Sequence, residues 1–321
     1  GIEFLLEGVH KIGMVATMWK PEKELLDAAK RKRKALGFCE DSAFRVFDGP
    51  GDGDPGLIVE VFAGRWLAHT PGPLAEAWRQ CLLTECPPLW WKRLDAKEKS
   101  DPMLLSDAPE AMPDPFLIRE NGLRFEISFR TGYSQGLFLD QRENRLQVRE
   151  SMRPGQTFLN LFAYTCGFSV AAAMAGAETS SVDLSAPALE WGKRNFLHNG
   201  MDPAAHHFPK GDALDYLSMF ARKGRQFDGI VLDPPTFSRN RGRVWKVEND
   251  FHELVAAAAR VTVPGGWLFC STNCRRLARE AFEDQIRRGC AGAGRRFLID
   301  WGGMPSDFTG EPYLHNAWIS L

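Results

Sequence analysis

Between residues 155 and 292 the chain alternates short apolar runs with amphipathic stretches, and this alternation limits its fold more than any other feature. Apolar runs at 157–162, near His207, 227–232 and 266–271, and the stretch 179–182 between helical patterns, read as strands. Helical patterns follow them, from Ser169 onward, then at 187–199, 213–223, 250–261 and 277–292. Strands separated by helices pair in parallel, with helices covering both faces of the sheet. The last two runs, FLID and AWISL, have no helix between them and predict an antiparallel hairpin. The expected fold class is therefore α/β, a Rossmann-like sheet closed by a C-terminal antiparallel hairpin.

Upstream the periodicity changes. FRVF, LIVEVF and RWLAHT are strand-like runs divided by DGPGDGDPG and AG, both rich in turn formers. A helix over 74–84, an apolar run at 89–91 and the alternating LRFEISF complete a small mixed unit. The stretch 101–115 carries four prolines, each lacking a backbone donor, and reads as a loop. Before this unit, PEKELLDAAKRKRKAL reads as a helix with proline in its first turn, acids early and bases late. Its basic cluster at 30–34 suits either phosphate contact or a solvated helix end. The expected division is a helical extension at 1–37, a small α/β domain at 38–135 that could contact RNA, and the large sheet at 136–321.

With 44% hydrophobic and 25% charged residues the chain has the composition of a soluble globular protein. A net charge of −1 provides no global field for polyanions, so nucleic-acid contact would have to come from local patches. The seven cysteines are odd in number and none forms a CxxC pair, which argues against a disulfide framework or a metal site and favours a reducing cytoplasm. No apolar run reaches membrane-spanning length, and the start lacks the pattern of a signal peptide. Because the first residue is Gly1 rather than Met, the native start is expected upstream.

Two strand ends carry the chemistry. In TFLNLFAYTCG an apolar strand breaks into a polar turn before an alanine-rich helix, and Gly167 permits close backbone approach by a ligand. Asp183, sixteen residues later, stands where ribose hydroxyls would be bound, and Asp212 in KGDAL stands where an adenine amino group would be bound. Both acids also precede helices and could act as caps. A dinucleotide is disfavoured, because its pyrophosphate needs a glycine-rich turn and FAYTCGF has one glycine. The other end, VLDPPTF, places Asp233, Pro234 and Pro235 after an apolar strand, with Phe237 available to stack on a base. A plain strand-terminating turn is the alternative.

GLFLDQRENR, LNLFAYTCGFSVAAAMAGA, SVDLSAPALEWGKRNFLHNG, FDGIVLDPPTFSR and PGGWLFCSTNC together make the chain resemble a class I S-adenosylmethionine-dependent RNA methyltransferase. More narrowly it resembles the family of bacterial 23S ribosomal RNA enzymes that form 5-methylcytosine and 7-methylguanine. The resemblance runs from about Phe44 to the end. It implies S-adenosylmethionine as cofactor, held by Asn160, Phe162, Tyr164, Thr165, Gly167, Asp183, Asp212 and Asp233, with Leu184, Ser185 and Ala213 beside the acids. It also implies a substrate base placed against 233–237.

Three features depart from the family pattern. Cys166 stands where the family often has a second glycine. The roughly forty residues before Phe44 are too few for the N-terminal RNA-binding domain of cytosine-modifying members. STNC replaces their SCS, so the family cysteine falls on Asn273 and Cys274 comes one residue late. Carbon 5 of cytosine needs a thiolate at carbon 6 and a base, whereas a ring nitrogen has a lone pair and needs only positioning. Methylation of a ring nitrogen near Asn273 is therefore expected, with a covalent route through Cys274 as the alternative; mid-strand Cys270 reads as a packed core thiol.

Substrate contacts are expected from Gln141 and Arg142, since Arg142, Arg145 and Arg149 share a helix face. In the stretch SRNRGRVWKVEND, read as a loop, Arg239, Arg241 and Trp245 interleave cations with an aromatic ring, as single-stranded nucleic acid requires. Solvated surfaces are the alternative in both places. The expected partner is RNA, probable targets being ribosomal; a homodimer is compatible with the sequence and a membrane is not expected. A non-catalytic RNA-binding protein and a nicotinamide oxidoreductase are the competing classes.

Overall fold

The computed structural model describes residues 20–95, 101–107, 112–130, 134–240 and 243–321, with residues 20, 238–240, 243 and 244 described by their backbone. It divides into two compact units. The first comprises the described residues of Gly1–Glu120 with Ile127–Leu139 and Ser306–Glu311; the second comprises Asn121–Glu126, Asp140–Pro305 and Pro312–Leu321.

The first unit opens with helix α1 (Lys20–Lys34), acidic in its first turn and basic throughout its last, as its dipole favours. A five-stranded sheet follows: β1 (Ala43–Asp48), β2 (Ile58–Phe62), β3 (Arg65–Thr70), then helix α2 (Glu76–Glu85), β4 (Leu89–Arg93) and β5 (Met103–Leu104). The helix lets β3 and β4 pair in parallel, while the other pairs are antiparallel. Leu26 and Ala29 of α1 join Phe47, Leu57, Val59 and Trp78 in the core. β5 corrects the expectation of loop over 101–115, because Met103 and Leu104 pair with β4 ahead of the later prolines; residues 108–111 lie outside the described set.

At the basic end of α1, Arg31, Lys32 and Lys34 are exposed, as in a solvated helix end, but Arg33 turns inward. Arg33 is 2% exposed and grips Asp52, Nη1 to Oδ1 at 2.8 Å and Nη2 to Oδ2 at 2.7 Å, while Nη2 also donates to the Asp307 carbonyl at 2.7 Å. Burial pushes the Asp52 carboxyl up, but the bonds from Arg33 and Lys32 outweigh it and hold the pKa at about 2. Glu60 follows the same rule: burial opposes ionisation, and Arg45 and His69 overcome it, again giving about 2.

Strands β6 (Phe116–Glu120) and β7 (Leu123–Ile127) follow, and the second unit then begins its regular alternation. Its elements are α3 (Arg142–Ser151), β8 (Thr157–Leu161), α4 (Gly167–Met174), β9 (Glu178–Val182), α5 (Ala186–His198), α6 (Ala213–Arg222) and β10 (Phe227–Leu232). A short antiparallel ribbon of β11 (Phe237–Asn240) and β12 (Arg243–Lys246) precedes α7 (Val247–Arg260), β13 (Thr262–Thr272), α8 (Arg279–Gly292), β14 (Leu298–Gly302) and β15 (His315–Ser320). The ribbon corrects the expected long loop, and α7 starts three residues before the expected Asp250.

The sheet order is β14-β15-β13-β10-β8-β9. β13, β10, β8 and β9 run parallel, and β15 runs antiparallel to both neighbours, as the missing helix predicts. The chain turns one way from β8 to β9 and the other way to β10, which opens a crevice at their carboxyl ends. Buried Leu159, Leu161, Ile230, Leu232, Leu254 and Phe251 fill one face of the sheet. No helix among the described residues is long and apolar enough to cross a membrane.

Candidate active site

Strand register puts the chemistry in one row. Leu161 of β8 pairs with Val182 of β9 and Leu232 of β10, and Leu232 pairs with Cys270 of β13. The next residue on each strand therefore lies at the same height: Asp183, Phe162, Asp233 and Ser271. Asp183 and Asp233 are two inter-strand steps apart, roughly 10 Å.

Phe162, Tyr164 and Cys166 have φ of +61°, +48° and +63°. Three alternate left-handed residues without glycine cost roughly 1–2 kcal/mol each, so the surroundings must hold them. Asp183 Oδ2 accepts from Tyr164 N at 2.8 Å, Asn195 Nδ2 donates to the Thr165 carbonyl at 2.9 Å, and Cys166 N donates to the Ala163 carbonyl at 2.8 Å. Gly192 of α5 packs so closely that a Cβ there would sit 2.3 Å from Cys166 Sγ. Alternating backbone of this kind turns successive N–H groups into a concavity. It leads into the N-terminus of α4, which no side chain caps. The left-handed φ at Cys166 also explains why glycine suits this position.

Asn160 is 1% exposed and donates to Ser169 Oγ at 3.0 Å, tying β8 to α4. Asp183 Oδ1 accepts from Ser185 N at 2.8 Å, and Ser185 in turn caps α5. Asp212 caps α6, accepting from Leu214 N at 2.9 Å, so the capping alternative holds for it geometrically. Leu184 is exposed and Ala213 is buried at the start of α6.

Asp233 is enclosed by protein on most sides, although part of its surface still meets solvent. Gln141 Nε2 donates to its Oδ2 at 3.2 Å and to Ser271 Oγ at 2.8 Å. Burial, and after it the Asp140 carboxylate, raise the Asp233 pKa to about 7, against the bonds from Ser271 and Gln141 and the charge of Arg145. Pro234 is buried, Pro235 is exposed and Phe237 is 48% exposed at the start of the ribbon.

Other sequence candidates are placed differently. Trp245 is 8% exposed and packs into the main core cluster, so its ring faces inward rather than toward a ligand. Gln141 and Arg142 are 3% and 4% exposed, which removes them from a substrate-facing surface. Asn273 is exposed just past β13, whereas Cys274 is 4% exposed among core side chains, its backbone N bonded to Thr272 Oγ1 at 3.2 Å. Cys270 is fully buried, and burial raises its thiol pKa well above the ordinary value. The side chain of Arg239 and all of Arg241 lie outside the described residues. Ser271 and Asn144, both part of the Asp233 surroundings, went unread in the sequence. A serine inside an apolar strand and an asparagine inside an arginine-rich helix give only a weak signal. Among the described residues no group of three or more potential ligands could hold a metal.

The donor set fits an adenosyl cofactor without a pyrophosphate: a close-approach turn, an acid at the end of β9 and another at the N-cap of α6, beside a third acid at the end of β10, on the far side of the switch point. The comparisons agree. A family model for S-adenosylmethionine-dependent methyltransferases matches residues 98–292. A ribosomal RNA large subunit methyltransferase of Deinococcus radiodurans is 33% identical over 324 residues, spanning 92% of this chain and 78% of that protein. A Bacillus subtilis protein provisionally named a ribosomal RNA large subunit methyltransferase is 29% identical over 96% of this chain and 84% of its own length. A solved structure provisionally assigned as a methyltransferase, complexed with S-adenosylhomocysteine, matches with a TM-score of 0.83 at 29% identity, over 96% of this chain and 82% of that one. With strand order, tip chemistry and relatedness all in accord, the chain belongs to the S-adenosylmethionine-dependent methyltransferase family.

Proposed function

We propose that the chain transfers the methyl group of S-adenosylmethionine to a base of ribosomal RNA, at a ring nitrogen. The observation that carries the mechanism is the row at the strand tips, where Asp183 and Asp233 flank the turn after β8. The substrate class is supported by the Deinococcus radiodurans relative, named a ribosomal RNA large subunit methyltransferase.

S-adenosylmethionine supplies an electrophilic methyl group on a sulfonium. Asp183 would hold the ribose hydroxyls through the lone pairs left after its two backbone bonds, with Leu184 and Ser185 beside it. The turn at 162–167 would admit the cofactor's amino-acid end, with the uncapped α4 N-terminus favouring its carboxylate. Asp212 and Ala213 would border the adenine. On the acceptor side, Asp233 would accept a hydrogen bond from a base N–H, the backbone at Pro234 and Pro235 would accept from an amino group, and Phe237 would stack on the extruded ring. A ring nitrogen already carries the attacking lone pair, so these groups need only aim it.

The burial of Cys274 supports this choice over 5-methylcytosine formation, since a sulfur among core side chains would be poorly reached by a base. The natural setting would be the cytoplasm. The test is comparison of modified nucleosides in ribosomal and transfer RNA from cells with and without the protein, by mass spectrometry. Loss of one methylated ribosomal nucleoside, restored by wild type and not by Asp233→Asn, is the expected result; unchanged ribosomal RNA would refute the proposal.

A further inference from the structure

Gln141 stands at the N-cap of α3, where side chains commonly bond back to the helix, yet it makes no such bond. It turns toward the strand tips, where Nε2 meets Ser271 Oγ and Asp233 Oδ2. One helical turn on, Asn144 Nδ2 donates to Gln141 Oε1 at 2.7 Å. Gln141 and Asn144 are each 3% exposed and Ser271 is 0% exposed, so water cannot replace these bonds cheaply. An amide has donors on one side and an acceptor on the other, and an ionised carboxylate only accepts. Gln141 must therefore offer its nitrogen to Asp233, and its oxygen is the end that Asn144 meets.

We infer that Asn144 and Gln141 are positioning residues for methyl transfer: Asn144 locks the Gln141 amide, and the locked amide holds the Asp233 carboxyl ionised and in the orientation that meets the acceptor base. This rests on the proposed contact between Asp233 and that base. Two other charged groups act on Asp233. Asp140, which accepts from the Tyr313 hydroxyl at 2.9 Å, opposes ionisation, and Arg145 of α3 favours it. Neither can set the direction of the carboxyl plane as a bonded amide does.

The test follows Asp233 by carbon-13 carboxyl NMR in the cofactor-free chain, the signal being identified by its loss in Asp233→Asn. Wild type is compared with Asn144→Ala and with Gln141→Met, which keeps the bulk and removes the donors. The expected result is an upward shift of the Asp233 midpoint by about half a unit to one unit in both variants. The acid limb of the methyl-transfer rate moves with it, so that a loss of about severalfold near neutral pH shrinks in alkaline solution to what misorientation alone leaves. An unshifted midpoint in a folded variant overturns the inference, as does a rate loss equal at every pH, the mark of a merely structural role. If Asn144→Ala does not fold, Gln141→Met decides alone. The NMR midpoint needs no RNA, so a shift seen without ribosomal methylation would sink the proposed substrate and leave the positioning role standing.

Discussion

Asp52 and Glu60 of the first unit and Asp233 of the second are enclosed carboxyl groups treated in opposite ways. In the first, Asp52 and Glu60 are matched by Arg33, Arg45 and His69, and their pKa values fall to about 2. In the second, Asp233 has amide and hydroxyl partners and the Asp140 carboxylate nearby, and its pKa rises to about 7. An enclosed acid given a guanidinium becomes a fixed structural charge. One denied a bonded cation stays responsive to whatever cation arrives, and here that would be a sulfonium.

The largest expected effect of breaking this contrast is on the first unit. Asp52→Ala leaves Arg33 buried without its carboxylate and is expected to cost about 3–5 kcal/mol, measured by urea unfolding. Its pH counterpart follows from sign. Asp52 and Glu60 have folded pKa values below their ordinary ones, so their stabilisation is complete above the ordinary carboxylate range and disappears as pH falls toward 2. Asp233 has a raised folded pKa, so its ionisation costs stability progressively from the ordinary carboxylate range up to about 7. Acid should therefore release the Asp52 and Glu60 ion pairs and weaken the first unit, and Asp233→Asn should make the protein slightly more stable in alkaline solution.

Next in size, Asp233→Asn is expected to lower methyl transfer by at least about 100-fold, because the acceptor loses its orienting partner, with the fold retained by circular dichroism. A smaller effect is expected at the turn. Gly192→Ala would drive a methyl group against Cys166 Sγ, cost about 1–3 kcal/mol by overpacking, and weaken cofactor binding by calorimetry while leaving the Asp52 ion pair intact. Smallest is Cys274→Ser, expected to keep transfer within about twofold at a stability cost of about 1 kcal/mol. Loss of all activity in folded protein would restore the covalent route.

Part of this contrast could be read from sequence. Alternating runs gave the parallel sheet and its terminal hairpin, because a missing helix leaves an antiparallel return as the short connection. The acids at strand tips were visible for a similar reason, since Asp233 ends an apolar run and Asp183 ends the strand-like stretch 179–182. What stayed hidden depends on which way a side chain turns. Periodicity cannot tell that Arg33, among the five consecutive cations at 30–34, is the one that faces inward. Nor does it show that Trp245 packs into the core once β11 and β12 pair. Gln141 and Asn144 lie among arginines that carry the stronger sequence signal, and the bond from one amide to the next is a matter of three dimensions.

The most direct measurement is calorimetric titration of wild type and Asp233→Asn with S-adenosylmethionine and with S-adenosylhomocysteine across neutral pH. A sulfonium beside Asp233 should make affinity for S-adenosylmethionine rise with pH through about 7 in wild type, but not in Asp233→Asn, and not in either protein for S-adenosylhomocysteine, whose thioether lacks the sulfonium charge. Equal pH dependence for the two compounds, or its persistence in Asp233→Asn, would place the methyl group away from this strand tip and contradict the assignment of the site.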